Sequence, residues 1–106
     1  MKILGLLRRK RGVGVDAVAD LFEGEEHLAW QKYVEGRVRE LYWAGDNSGA
    51  VAILEYDSVA DAEADMAALP MARGGFLDLE FLELRPFTPL EQLFRPGQRS
   101  ARPAGT

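Results

Sequence analysis

Four short apolar runs separated by two helical patterns constrain this chain more than any other feature. Ile3 to Arg8 reads as a first strand, ended by a basic, glycine-containing loop from Arg8 to Gly14. Asp16 stands where its carboxylate can cap a helix start. Val18, Leu21 and Phe22, then Ala29, Trp30, Tyr33 and Val34, recur at helical spacing. Gly24-Glu25-Glu26 interrupts that stripe, which predicts a kinked helix or two short ones with Gly24 as the weak point. Gly36 sits where a helix C-cap belongs.

Val38 to Trp43 is the second strand. Asp46-Asn47-Ser48-Gly49 is a strong turn signal, and Ala50 to Tyr56 completes a hairpin. Ser58 with Asp61 resembles a capping box, and Val59, Ala62, Met66 and Leu69 follow the helical period until Pro70 stops it. Gly74-Gly75 supplies a corner before the fourth strand, Phe76 to Leu84. Pro86 and Pro89 bracket a turn, after which Leu90, Leu93 and Phe94 predict one helical turn that packs down. The domain therefore spans residues 1–94, and residues 95–106, rich in Pro, Gly and Arg without apolar anchors, read as a flexible tail.

The order β-α-β-β-α-β predicts an α+β fold of the ferredoxin-like kind, an antiparallel sheet with both helices on one face. The second face has no cover of its own, yet it is not polar. In the third strand Val51 and Ile53 point one way while Ala52, Leu54 and Tyr56 point the other. In the fourth, Leu77, Leu79 and Phe81 share one face, and Phe76, Leu82 and Leu84 share the other with Asp78 and Glu80. Apolar area on both faces predicts a homodimer closing over the open side, with higher oligomers a further option. The alternative cover, the segment from Leu90 to Phe94, is too short for four strands.

With 106 residues and ordinary shares of apolar (47%) and charged (28%) residues, the chain is sized for one globular domain. It has no cysteine, which excludes disulfides, thiolate metal sites and a cysteine nucleophile. The net charge of −4 argues against a nucleic-acid partner. No apolar run is long enough to span a membrane, and in MKILGLLRRK the charges follow the apolar stretch, the reverse of a signal peptide. A cytoplasmic protein with no membrane partner is the expectation.

Several side chains carry candidate chemistry. Asp78 and Glu80 stand two apart on one strand face, where burial at a dimer interface would make one of them a general acid or base. The plainer reading is a rim position paired with Arg73 or Arg85. Alternation on the second strand puts Glu40, Tyr42 and Val38 on one face and Arg39, Leu41 and Trp43 on the other. An acid beside a phenol can bind and protonate a carbonyl compound, although Tyr42 and Trp43 also read as core or interface aromatics. His27, the only histidine, lies between glutamates on a helix and reads as a solvated residue. With one histidine and no cysteine, a metal site is not expected. Arg8-Arg9-Lys10-Arg11 can clamp a phosphate or carboxylate, or simply be a solvated loop; Gly12 and Gly14 open no dinucleotide fingerprint.

Gly36-Arg37-Val38-Arg39-Glu40-Leu41-Tyr42-Trp43, the strand from Gly49 to Asp57, Leu69-Pro70-Met71, Asp78-Leu79-Glu80 and Leu84-Arg85-Pro86 together resemble the muconolactone delta-isomerase-like family. That resemblance implies a dimeric α+β barrel, with a pocket near the dimer interface for a small cyclic or aromatic ligand. It implies a cofactor-free enzyme, an isomerase or cyclase working by proton transfer. Glu40, Asp78 and Glu80 would be the proton carriers, and Tyr42, Trp43 and Phe76 the substrate-binding residues. The isomerase places histidine where Glu40 stands, which puts the identical substrate in doubt. A non-catalytic ligand-binding or dimerisation module of the same fold is the rival reading.

Overall fold

The computed structural model describes residues 1–95; the expected tail lies, beyond its first residue, outside the described residues. Four strands, β1 (Lys2–Arg9), β2 (Val38–Trp43), β3 (Gly49–Glu55) and β4 (Leu77–Leu84), form one sheet in the order β2-β3-β1-β4. All three pairings are antiparallel. The helices are α1 (Val15–Val18), α2 (Phe22–Val34), α3 (Val59–Ala67) and α4 (Pro70–Arg73). This is the expected α+β ferredoxin-like arrangement, with β1 one residue longer at each end, β3 shifted by one residue and β4 starting one residue later than expected.

The alternation in β3 and β4 falls as expected. Ile3 and Leu7 of β1 with Ala52 and Leu54 of β3 face the helices and are buried with Ala62, Met66 and Leu69. Leu77, Leu79 and Phe81 of β4 pack around them. Gly5 lies in the middle of this face, where a Cβ would come 3.1 Å from the Leu54 side chain. The other face is open in the single chain. It carries Leu4 and Leu6 at its centre, beside Ile53 and Val51 on one flank and Leu82 and Glu80 on the other. Leu82 is 58% exposed.

In β2 the structure departs from plain alternation. A bulge at Arg39 shifts the register, so that Val38 pairs with Leu54 but Glu40 pairs with Ile53. Val38 is thereby turned to the helix face with Leu41 and Trp43, while Glu40 and Tyr42 face the open side. The cause is the odd spacing between Val38 and Leu41, which period-two pleating cannot place on one face without an extra residue. The expectation that Val38 shares a face with Glu40 and Tyr42 is corrected.

The helical layer also differs. Asp16 does not cap α1: Gly14 is the N-cap residue, without a side-chain bond, and Asp16 falls in the first turn. The break expected at Gly24 falls instead at a 3₁₀ turn, Ala19–Leu21, between α1 and the 13-residue α2, which runs unbroken through Gly24. A Cβ on Gly24 would lie 3.7 Å from Pro70, so α2 passes close to α4 there. Trp30, Tyr33 and Val34 are exposed on the outer side of α2, with the two rings stacked at 5.5 Å. The stripe turned inward is instead Phe22, Glu25, Leu28, Ala29 and Lys32.

The caps read from sequence are mostly present. Gly36 adopts φ 82° and its N–H bonds Tyr33, while the Arg37 N–H reaches back to Lys32, a Schellman closure. Ser58 accepts the Asp61 N–H at 3.0 Å. Asp46 accepts the Ser48 N–H at 3.0 Å in the hairpin turn. Pro70, expected as a stop, follows a helix that has already ended at Ala67 and opens α4 at its first position, where its missing N–H costs nothing. Lys32 holds Asp65 at 2.8 Å, and Tyr56 donates its hydroxyl to the same carboxylate, tying α2, α3 and the end of β3 together. The segment Thr88–Phe94 is a 3₁₀ stretch that does not pack down as expected: Leu90, Leu93 and Phe94 are all exposed.

Candidate functional site

Between the helix-covered face of the sheet and the α1–α2 layer lies a cavity of about 470 Å³. Its floor is Leu7 and Arg9 of β1, Gly49, Ala50 and Ala52 of β3, and Leu77 of β4. Val38, Leu41, Tyr42 and Trp43 border it from β2. Val18, Phe22, Glu25, Glu26, Ala29 and Lys32 close it from the α1–α2 layer, with Met66, Leu69 and Met71 behind. The walls are mainly hydrocarbon. The bulge at Arg39 is what brings Leu41 and Trp43 to this side.

Gly49 lets the floor form. A Cβ there would lie 2.0 Å from the Leu7 carbonyl oxygen and 2.8 Å from the Arg8 Cα, so the two backbones meet more closely than any side chain permits.

The distinctive polar group in the wall is Glu25. Its Oε1 accepts the Met71 N–H at 2.9 Å, an orphan donor in the first turn of α4. Among the described residues its other oxygen has no hydrogen-bond partner. Burial pushes the Glu25 carboxyl above the usual carboxylate range, and the Met71 bond only partly offsets that rise. A half-buried carboxyl with a raised pKa beside an apolar cavity is a proton carrier in form. The sequence reading passed over it as a break in an apolar stripe. Its signal was there, since Phe22, Glu25, Ala29 and Lys32 also keep helical spacing.

Arg9 is the other charged group of note. Its Nη2 donates to the Asn47 carbonyl, while Nε is buried with no hydrogen-bond partner. No carboxylate forms an ion pair with it among the described residues. Of the basic run, Arg9 alone lines the cavity; Arg8 falls on the open face, across from Asp78.

The residues singled out from sequence are not gathered here. Glu40 and Tyr42 stand on the open face at the β2 edge, where the Tyr42 hydroxyl donates to Glu40 at 2.5 Å and the carboxylate pushes the phenol pKa up. Asp78 and Glu80 stand on the same face at the β4 edge, with β3 and β1 between the two pairs. At about 4.8 Å per strand the pairs are roughly 14 Å apart. Arg85 pairs with Glu83, not with Asp78 or Glu80. Trp43, and Tyr42 in part, border the cavity, but Phe76 does not; its ring packs against Gly74, where a Cβ would meet it at 2.8 Å. The His27 side chain is 76% exposed, 3.9 Å from Glu23 and away from the cavity. No three His, Cys, Asp or Glu side chains converge as a metal-binding group among the described residues.

Comparison with solved structures places this architecture. A muconolactone isomerase superposes with a TM-score of 0.66 at 21% identity, covering 82% of this chain and 93% of that one. The chain has the muconolactone isomerase fold. A second match is 5-chloro-2-hydroxyhydroquinone dehydrochlorinase (TftG) from Burkholderia phenoliruptrix AC1100, solved in complex with 2,5-dihydroxybenzoquinone. It superposes with a TM-score of 0.61 at 16% identity, covering 80% of this chain and 94% of that one. No family model and no curated protein sequence matches. The resemblance read from Gly36–Trp43 and the Leu69-Pro70 corner thus holds at the level of fold. No described helix is long and apolar enough to cross a membrane.

Proposed function

We propose that this protein is an enzyme of the muconolactone isomerase-like type, moving a proton within a small cyclic or aromatic-derived compound held in the cavity. The observation that carries the reading is Glu25: a carboxyl with a raised pKa, one oxygen held by the Met71 N–H, set in an otherwise apolar wall. Proton removal next to a carbonyl and its return elsewhere on the same ring require one such group and exclusion of water, and no cofactor enters that scheme. Trp43, Leu41 and Phe22 supply apolar surface against which a ring packs. Both fold relatives carry names of enzymes acting on small molecules, an isomerase and a dehydrochlorinase.

The working unit in this proposal is a homodimer that covers the open face, since Leu4, Leu6, Val51, Ile53 and Leu82 form a contiguous apolar surface there. Glu40, Asp78 and Glu80 then belong to the rim of that interface, which is where the rival assignment of the proton carriers would place the chemistry. A panel of unsaturated lactones and substituted hydroquinones, followed by ultraviolet absorbance, tests the assignment. Glu25→Gln should abolish turnover with ligand binding retained, while Glu80→Gln and Glu40→Gln leave turnover within a few-fold. If Glu25→Gln turns over normally and Glu80→Gln does not, the chemistry lies in the interface. If no member of the panel is converted but members bind, the protein is the ligand-binding module of the alternative reading.

A further inference from the structure

Resting on the homodimer proposed above, we infer that the segment Phe87–Phe94 of one protomer closes the mouth of its partner's cavity, so that the site is complete only in the assembly. Most of the cavity lining is buried or half-buried; the exceptions are Glu26, Leu41, Tyr42 and Trp43, which are exposed and so mark the opening. The mouth therefore lies between α2 and the edge strand β2. Trp43 is 68% exposed there and Leu41 53%, an opening that admits the water a proton-transfer site has to exclude. The chain also carries an apolar segment with nothing to cover. Thr88–Phe94 is a 3₁₀ stretch, and three residues per turn place Leu90 and Leu93 in one row with Phe87 at its N-cap, while Glu91 and Gln92 stand on the other rows. Phe87, Leu90 and Leu93 are all exposed, as is Phe94.

A chain does not bring that row to its own cavity mouth. β4 and β2 are opposite edges of the sheet, and the route between them crosses α3, which packs on β4, and α2, which packs on β2. A second copy does, because the pattern of the open face decides how it lies there. Lys2 and Glu55 stand at one end of that face, Arg8 and Asp78 at the other, with Leu4, Leu6, Val51 and Ile53 between. A two-fold axis along the strands sets Lys2 against Glu55 of the partner subunit, the apolar middle on itself, and Tyr42 against Glu80 of the partner subunit, with Leu82 over Glu40 the one poor contact. An axis across the strands sets Lys2 against Arg8 of the partner subunit, and Leu82 and Leu84 against its acids. Charge complementarity selects the first, which lays β4 of the partner over β2. Leu41 and Trp43 lie three and five residues along the strands from the level of Leu84. With the sheets about 10 Å apart, the segment has roughly 14 Å to cover to Leu41 and roughly 20 Å to Trp43. Residues 85–87 extended and 88–94 as a 3₁₀ stretch span roughly 24 Å, which is enough.

The two tryptophans of the chain make the closure measurable, since Trp43 at the mouth and Trp30 on the outer side of α2 are 68% and 63% exposed in the single chain. Without a partner they are quenched alike; under the partner's segment Trp43 alone is shielded. The test is acrylamide quenching of the full chain as the single-tryptophan variants Trp30→Phe, which reports Trp43, and Trp43→Phe, which reports Trp30, at concentrations where sedimentation finds the dimer. The quenching constant should be lower for Trp43 than for Trp30. Replacing Phe87, Leu90 and Leu93 together by glutamine should abolish the difference, and so should Leu82→Lys, which separates the protomers with the segment intact. Equal quenching in the dimer, or a shielded Trp43 that survives the triple replacement, overturns the closure and leaves the dimer standing. A Trp43 still shielded in the Leu82→Lys monomer shows the segment covering its own chain and overturns the exchange. A protein monomeric at every concentration overturns the homodimer and this inference with it. Should Leu82→Lys not fold, dilution of the dimer until it dissociates supplies the same separation.

Discussion

Replacing Leu82 by lysine should break the proposed homodimer without unfolding the protomer. Leu82 lies on the open face of β4 opposite Leu4 of β1, and it is 58% exposed in the single chain. Fully burying a leucine side chain contributes about 1.5–3 kcal/mol, so the exposed part leaves about 0.9–1.7 kcal/mol to be gained at an interface. A two-fold interface uses the same patch twice, which doubles the gain to about 2–3.5 kcal/mol. At about 1.4 kcal/mol per tenfold, the dimer dissociation constant should rise by roughly 30- to 300-fold, and lysine adds a desolvation cost to that minimum. Sedimentation equilibrium over a concentration series reads the constant directly. Trp30→Lys is the control, since Trp30 is 63% exposed on the outer side of α2, across the molecule from the sheet's open face. A wild type that stays monomeric throughout, or a dimer weakened by Trp30→Lys and not by Leu82→Lys, refutes the face-to-face arrangement.

Glu25→Gln should also change how stability depends on pH. The folded carboxyl has a raised pKa, so the folded state binds more protons than the unfolded state between the unfolded and folded values, and wild-type stability falls as pH rises through that window. Glutamine does not titrate, so the variant gains on wild type from pH 4 to pH 7; an equal difference in urea midpoint at both values counts against the burial of Glu25. Leu54→Ala removes a fully buried side chain at the centre of the core and should cost about 2.7–5 kcal/mol by urea denaturation, with a loss below about 1 kcal/mol contradicting the packing described. Ser58→Ala deletes the cap of α3 and should cost about 0.5–2 kcal/mol, with Ser58→Asp recovering most of it. Gly49→Ala should cost about 1–3 kcal/mol or more, because its Cβ would force β1 and β3 apart; a thermal midpoint unchanged from wild type would show that the backbones are not in that contact.

What the sequence made legible was whatever one local rule decides. Ala52 and Leu54 against Val51 and Ile53 follow strand pleating, and Ser58 and Gly36 carry their capping roles in their own chemistry. What escaped needed two rules at once. The spacing of Val38 and Leu41 conflicts with strand pleating, and only the bulge at Arg39 resolves it, turning Glu40 and Tyr42 to the opposite side from Val38. In α2 two stripes share the helical period, Trp30-Tyr33-Val34 and Phe22-Glu25-Ala29-Lys32. Hydrophobicity favours the first, yet the helix turns the second inward and partly covers it, because Asp65 takes the Lys32 ammonium and the Met71 N–H donates to the Glu25 carboxylate. Both partners lie more than thirty residues away in sequence and are brought near only by the fold. The same holds for Leu90, Leu93 and Phe94, whose apolarity predicts cover that the single chain does not provide.

The presence of a carboxylate at position 25 has two physical accounts, and they separate on one point. As a cap for α4 it satisfies the Met71 N–H, but a neutral amide oxygen would accept that bond too. Burial penalises the charged form alone, so glutamine would cap α4 without the cost that raises the Glu25 pKa. Stability by itself therefore favours glutamine at neutral pH. What glutamine cannot do is take up a proton and return it. In the proposed function the carboxyl in this apolar wall has a use that capping alone does not give it. The two accounts agree that Glu25→Gln keeps or raises stability at neutral pH and separate on turnover: lost if the carboxyl works as a proton carrier, unchanged if it only caps α4.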